Sequence, residues 1–133
     1  MKEFWKIDEE IKNHLIEINK NNNIQSLYSK YGPTDRMLGS YLEIGYSKSA
    51  EDHLFKSIIP EILFEFNALR GQCIYEFNYP RDNANYNGDR ELGFSCTDNS
   101  EHFRINTIKI SYKSYGQNHL EFWSYLVEKL KSF

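Results

Sequence analysis

Cysteine, glycine and proline are scarce in this chain, at two, seven and three of 133 residues. The cysteines, Cys73 and Cys96, form no CxxC pair and have no spacing with histidine that a metal site requires, so both are expected as reduced, buried thiols. The glycines never cluster as a phosphate cradle would need, and no GxSxG, SxxK, P-loop, GxGxxG or HExxH sequence occurs. The four histidines, His14, His53, His102 and His119, are scattered and are expected at the surface. Long apolar runs are missing too. The longest, Ile58 to Phe66, is interrupted by Pro60, Glu61 and Glu65, and the opening Met1-Lys2-Glu3-Phe4-Trp5 lacks the apolar core of a signal peptide. There is no Asn-x-Ser/Thr acceptor, and no excess of basic charge to draw the chain to nucleic acid or anionic lipid, because the formal net charge is -3. These absences lead to the expectation of a cytoplasmic protein with no cofactor, no metal, and neither nucleic acid nor membrane as partner.

What is abundant is aromatic surface: 16% of the residues are Phe, Trp or Tyr, with 10 Tyr and 9 Phe. With 40% hydrophobic and 26% charged residues, the chain has the make-up of a globular protein. Its length suits one continuous core, so residues 1–133 are expected to form a single domain.

Hydrophobic periodicity predicts the elements. Phe4, Ile7, Ile11, Leu15 and Ile18 recur at helical spacing, which predicts an amphipathic helix over about Lys2 to Lys20. Asn21-Asn22-Asn23 ends it and is expected to cap a short second helix carrying Ile24, Leu27, Tyr28 and Tyr31 on one face. Residues 34–47 fit either period; Gly39 and Gly45 favour a strand near Ser40 to Tyr46. Ser49-Ala50-Glu51-Asp52 places a hydroxyl and two carboxylates at a helix start. The following stripe of Leu54, Phe55, Ile58, Ile59, Ile62, Leu63 and Phe66 predicts the central core helix, kinked or divided at Pro60. Cys73, Tyr75, Phe77 and Tyr79 alternate with Gln72, Ile74, Glu76 and Asn78; Leu92, Phe94 and Cys96 alternate with Glu91, Gly93 and Ser95, and Ile108, Ile110 and Tyr112 with Thr107, Lys109, Ser111 and Lys113. These predict a three-stranded meander. A last helix is expected from about Gln117 to Lys131 with Leu120, Trp123, Leu126, Val127 and Leu130 buried. The fold class is therefore α+β: an antiparallel sheet of three to four strands, helices packed on one face, and helices at both the N-terminal and C-terminal ends.

Charge is unevenly distributed. Residues 76 to 101 carry six carboxylates (Glu76, Asp82, Asp89, Glu91, Asp98, Glu101) against Arg81 and Arg90, a net of -4, while residues 102 to 133 carry a net of +3. Within the acidic stretch, Pro80 to Arg90 is longer than a hairpin needs and mixes carboxylates with asparagines and Tyr86, a composition suited to a contact surface as well as to a plain turn at Asn87-Gly88. Glu61 and Glu65 fall on the polar side of the central helix, where acids one turn apart are ordinary solvated residues. His102, beside Glu101 and Arg104, is the histidine placed best for acid–base work.

In size, acidity, aromatic content and α+β cast, the whole chain resembles the immunity proteins of bacterial polymorphic toxin and contact-dependent growth inhibition systems, by overall profile rather than by a motif. The resemblance implies a non-enzymatic protein that binds and neutralises a cognate toxin domain, commonly a nuclease and basic in charge, with this chain a monomer or weak dimer. Asp82, Asn85, Tyr86, Asp89, Asp98 and Glu101 are then the expected contact residues, since complementary charge accelerates encounter and aromatic anchors supply desolvated contact. The alternatives are a small enzyme of unrecognised type, or an adaptor or subunit of a larger assembly.

Overall fold

A computed structural model describes residues 8–21, 23–32, 39–67, 71–82, 104–114 and 119–133. Its centre is a four-stranded antiparallel sheet of β1 (Ile24–Lys30), β2 (Gly39–Tyr46), β3 (Gly71–Asp82) and β4 (Arg104–Ser114), in the order β1-β2-β4-β3. Residues alternate between the two faces of a strand, and the register puts Leu42, Ile44 and Tyr46 of β2 on the same face as Tyr112, Ile110 and Ile108 of β4 and Cys73 of β3. All are buried, and the helices cover this face.

The helical layer comprises α1 (Lys12–Ile18), entered through a 3-10 turn at Glu9–Ile11; α2 (Glu51–His53), preceded by the 3-10 turn Lys48–Ala50; α3 (Ile59–Asn67); and α4 (His119–Leu130). A wide π-helical stretch, Leu54–Ile58, joins α2 to α3 without a break. Pro60 explains it. Proline has no N–H to return to the preceding turn and its ring crowds the carbonyl four residues back, so a wider turn relieves what would otherwise be a kink. Ile11, Leu15 and Ile18 meet Leu54, Ile58, Ile59, Ile62, Phe66, Phe122, Trp123, Leu126 and Leu130 in one core over the sheet. Aromatic packing closes its centre: Phe122 stacks on Tyr112 at 5.0 Å, and Phe66 meets Tyr112 and Phe122 edge-on at 5.2 and 5.3 Å.

The α+β class, the one-sided helical cover, the strand at 40–46 and the helices near both ends are as expected. Several finer expectations fail. Residues 24–30 are a strand, not a second helix. β1 carries a bulge between Ser26 and Tyr28, and the extra residue breaks the period of two, leaving apolar side chains at a spacing that imitates a helix. The asparagines before it act as buried clips instead of a helix cap. Asn19 Nδ2 donates to the Leu15 carbonyl and to Ser26 Oγ, both at 2.8 Å, and its Oδ1 accepts the Ser26 N–H at 2.9 Å. Asn21 Nδ2 donates to the Leu130 carbonyl at 2.8 Å, tying the turn to the end of α4. Leu120 is 48% exposed, and His119 and Phe122 are buried in its stead.

The meander is also corrected. β3 and β4 pair directly, in regular register from Gly71↔Ser114 to Asn78↔Thr107 and with an irregularity between Asn78 and Arg81, and β4 has β2 on its other side. The strand expected over Leu92 to Cys96 lies outside the described residues. The face opposite the helices is only partly open: Gln25, Glu43 and Thr107 are buried there, whereas Gln72, Ile74, Glu76 and Lys113, toward the β3 side, are exposed.

Candidate protein-interaction surface

Large apolar side chains are exposed on β3 on both faces of the sheet. On the helix side, Phe77 is 63% and Tyr75 39% exposed; on the opposite side, Ile74 is 41% exposed. Three links of sequence and structure put them there. Alternation along β3 directs Tyr75 and Phe77 toward the helices. The order β1-β2-β4-β3 makes β3 the last strand among the described residues. The third link is the π-helical stretch, which carries Phe55 over this end of the sheet.

Phe55 stacks on Phe77 at 5.2 Å and 29°, meets Tyr46 edge-on at 5.3 Å, and lies 6.4 Å from Tyr75; Tyr75 and Phe77 meet edge-on at 5.7 Å. The cluster therefore has a buried foot, Tyr46, and an exposed crown. Burial, and secondarily the Glu51 carboxylate, raises the Tyr46 phenol above its ordinary pKa, so it stays neutral. A rigid aromatic platform of this kind gives contact area at little entropic cost, which suits protein recognition. Composition announced the aromatics; which of them face solvent depends on strand order.

Asp82 is the final residue of β3, its backbone paired with Arg104. Asn85, Tyr86, Asp89, Asp98 and Glu101, with His102, lie outside the described residues. The chain from Asn83 to Phe103 leaves from the end of β3 and returns at the start of β4, so the acidic stretch is tethered at the end of the strand that carries Phe77.

The histidines depart in part from a surface role. His119 is buried: its Nε2 donates to the Ser114 carbonyl at 3.1 Å, which leaves Nδ1 to accept the Ser40 hydroxyl at 2.9 Å. Desolvation lowers its pKa, against a smaller raising effect of the Ser114 bond. Kept neutral by burial, it clasps β2, β4 and α4 together. His14, whose pKa is also lowered by burial, lines an open cavity of about 300 Å³ between α1 and α4 with Asn13, Glu17, Ser124 and Val127. Its Nδ1 is buried without a hydrogen-bond partner, as is Trp123 Nε1. Cys73 is buried as expected, its thiol pushed up to about 12 by desolvation, too high for a reactive nucleophile. Among the described residues no three His, Cys, Asp or Glu side chains are grouped to hold a metal ion, and no helix is long and apolar enough to cross a membrane. The chain matches no protein-family model, no curated protein and no solved structure.

Proposed function

We propose that this chain is a protein-binding module that neutralises a cognate bacterial toxin domain by contact, an immunity protein acting without catalysis in the cytoplasm. The observation that carries the reading is the exposed aromatic crown of Phe77 and Tyr75 at the sheet's end, continuous in sequence with a stretch of net charge -4. Solvent exposure of a stacked Phe is unfavourable in isolation, and covering it on association recovers roughly 1.5–3 kcal/mol per large side chain. Carboxylates next to such an anchor steer a basic partner and leave the desolvated contact to the rings. A toxin that cleaves nucleic acid is basic where it meets phosphate, and carboxylates can stand where those phosphates would approach.

The test is co-expression. A toxin C-terminal domain encoded beside this gene is induced with and without the chain, and growth and complex formation are followed. Rescue with a stoichiometric complex supports the reading; a toxin neighbour that is neither bound nor neutralised, or a neighbourhood of metabolic genes alone, refutes it. Within a complex, Phe77→Asp is expected to weaken binding at least about tenfold while leaving the fold intact, since a mostly exposed side chain contributes little to stability. Asp82→Lys with Asp89→Lys is expected to slow association and to flatten its salt dependence.

A further inference from the structure

We propose that β3 is a docking edge that accepts an extended segment of a cationic protein as an added strand, pairing at Tyr75 and Phe77. The inference rests on the protein-binding reading and gives it a mode.

The orientation of the edge is fixed by Asn67. Its Nδ2 donates to the Cys73 carbonyl at 2.8 Å, and the Cys73 N–H donates to its Oδ1 at 2.7 Å. Cys73 therefore turns both backbone groups away from β4. The register from Cys73↔Tyr112 to Phe77↔Ile108 is regular, so Tyr75 and Phe77 also turn theirs outward while Ile74 and Glu76 pair with β4. The carboxamide of Asn67 imitates one residue of a neighbouring strand and closes the edge at Cys73. An incoming strand begins its pairing one outward residue later, at Tyr75.

The opposite edge is guarded. β1 has 7 residues against 12 in β3, is bulged, has Ser26 held by Asn19, and is buried from Ile24 to Leu27. Short length and bulges are how sheets discourage edge pairing. β3 pairs in regular register over residues 71–78, its own irregularity lying beyond, between Asn78 and Arg81, and it bears exposed apolar side chains on its two faces, which an added strand covers simultaneously.

Charge selects the occupant. Glu76 is exposed on the face of β3 turned away from the helices, cross-strand from Lys109; on the ring side Glu51 is exposed one turn before Phe55, next to Asp52, which is ion-paired with Lys56 at 3.6 Å; and the stretch of net charge -4 continues from β3 in sequence. A second copy of this chain would bring Glu76 and the same acidic stretch face to face, whereas a segment alternating apolar and basic residues meets Tyr75 and Phe77 on one face and Ile74 and Glu76 on the other.

The experiment uses the full chain and an eight-residue peptide alternating valine and lysine, alongside the same peptide N-methylated on alternate residues and a valine–glutamate counterpart. Binding is followed by NMR titration and amide hydrogen exchange. The expected result is binding of the lysine peptide that slows exchange at the Tyr75 and Phe77 amides, with the other two peptides at least about tenfold weaker. Tyr75→Pro removes an outward N–H without touching the β4 ladder, so it should keep the fold and weaken the peptide at least about tenfold beyond Tyr75→Ala. Phe77→Pro, compared with Phe77→Ala, repeats the test at the second site. The proposal is overturned if N-methylation leaves affinity unchanged, if protection arises elsewhere, if millimolar peptide does not bind, or if the chain instead dimerises through β3. Failure here with intact toxin neutralisation removes the strand-addition mode alone; peptide binding at β3 without neutralisation removes the toxin reading and keeps the edge.

Discussion

Asn19→Ala should destabilise the protein by about 2–4 kcal/mol, much more than a typical loop substitution. The magnitude follows from what the side chain satisfies. Both Asn19 and Ser26 are buried, and alanine leaves the Ser26 N–H with no acceptor and Ser26 Oγ with one donor fewer. The Leu15 carbonyl suffers less, because it still accepts the backbone N–H of Asn19 at 2.9 Å. One orphaned buried N–H costs roughly 1–3 kcal/mol and a weakened hydroxyl about 1 kcal/mol more. The assay is urea unfolding followed by tryptophan fluorescence, reading a lower midpoint at unchanged slope, with a melting-temperature drop on the order of 10 °C. Ser26→Ala should cost about 1 kcal/mol, and the double variant should lose less than the sum because the two side chains share a bond. A loss below about 0.5 kcal/mol for Asn19→Ala, or full additivity, would refute the view that this clip fixes the start of the sheet.

Two further outcomes test the buried groups. Cys73 should resist thiol reagents at pH 8 in the folded protein and react once urea unfolds it, since burial holds its thiol near 12; mass spectrometry locates the label, and rapid native labelling at Cys73 would contradict its burial. The folded pKa values of His14 and His119 lie below the ordinary 6.5, so protonation favours the unfolded chain. Their contribution to stability is present in full above about pH 6.5 and is lost as pH falls from there through the folded-state values. Unfolding free energies measured from pH 8 to pH 5 should decline below that point, and His14→Gln should shallow the decline.

The sequence by itself determined the helical cores of α1, α3 and α4, because helical periodicity is a local signal and each of these elements buries a single stripe: Ile11, Leu15 and Ile18, for example, are all buried. It also determined the alternation of β3 over Cys73 to Phe77 and of β4 over Ile108 to Tyr112, and hence which of those side chains share a face, but not the irregularity that interrupts β3 between Asn78 and Arg81. Strand order was decided by tertiary structure alone. Alternation in β3 and β4 is equally compatible with a meander, and only the pairing of β4 with both neighbours leaves β3 the last strand among the described residues, with Phe77 exposed. The bulge in β1 has the same character, since one extra residue inside a strand produces the spacing of a helix, and partners distant in sequence fix the true conformation. The six contact residues named from composition include only one, Asp82, within the described fold. The aromatic crown and the Asn67 clip were not legible in the sequence, because exposure and edge orientation are properties of neighbours, and neighbours are assigned by the fold.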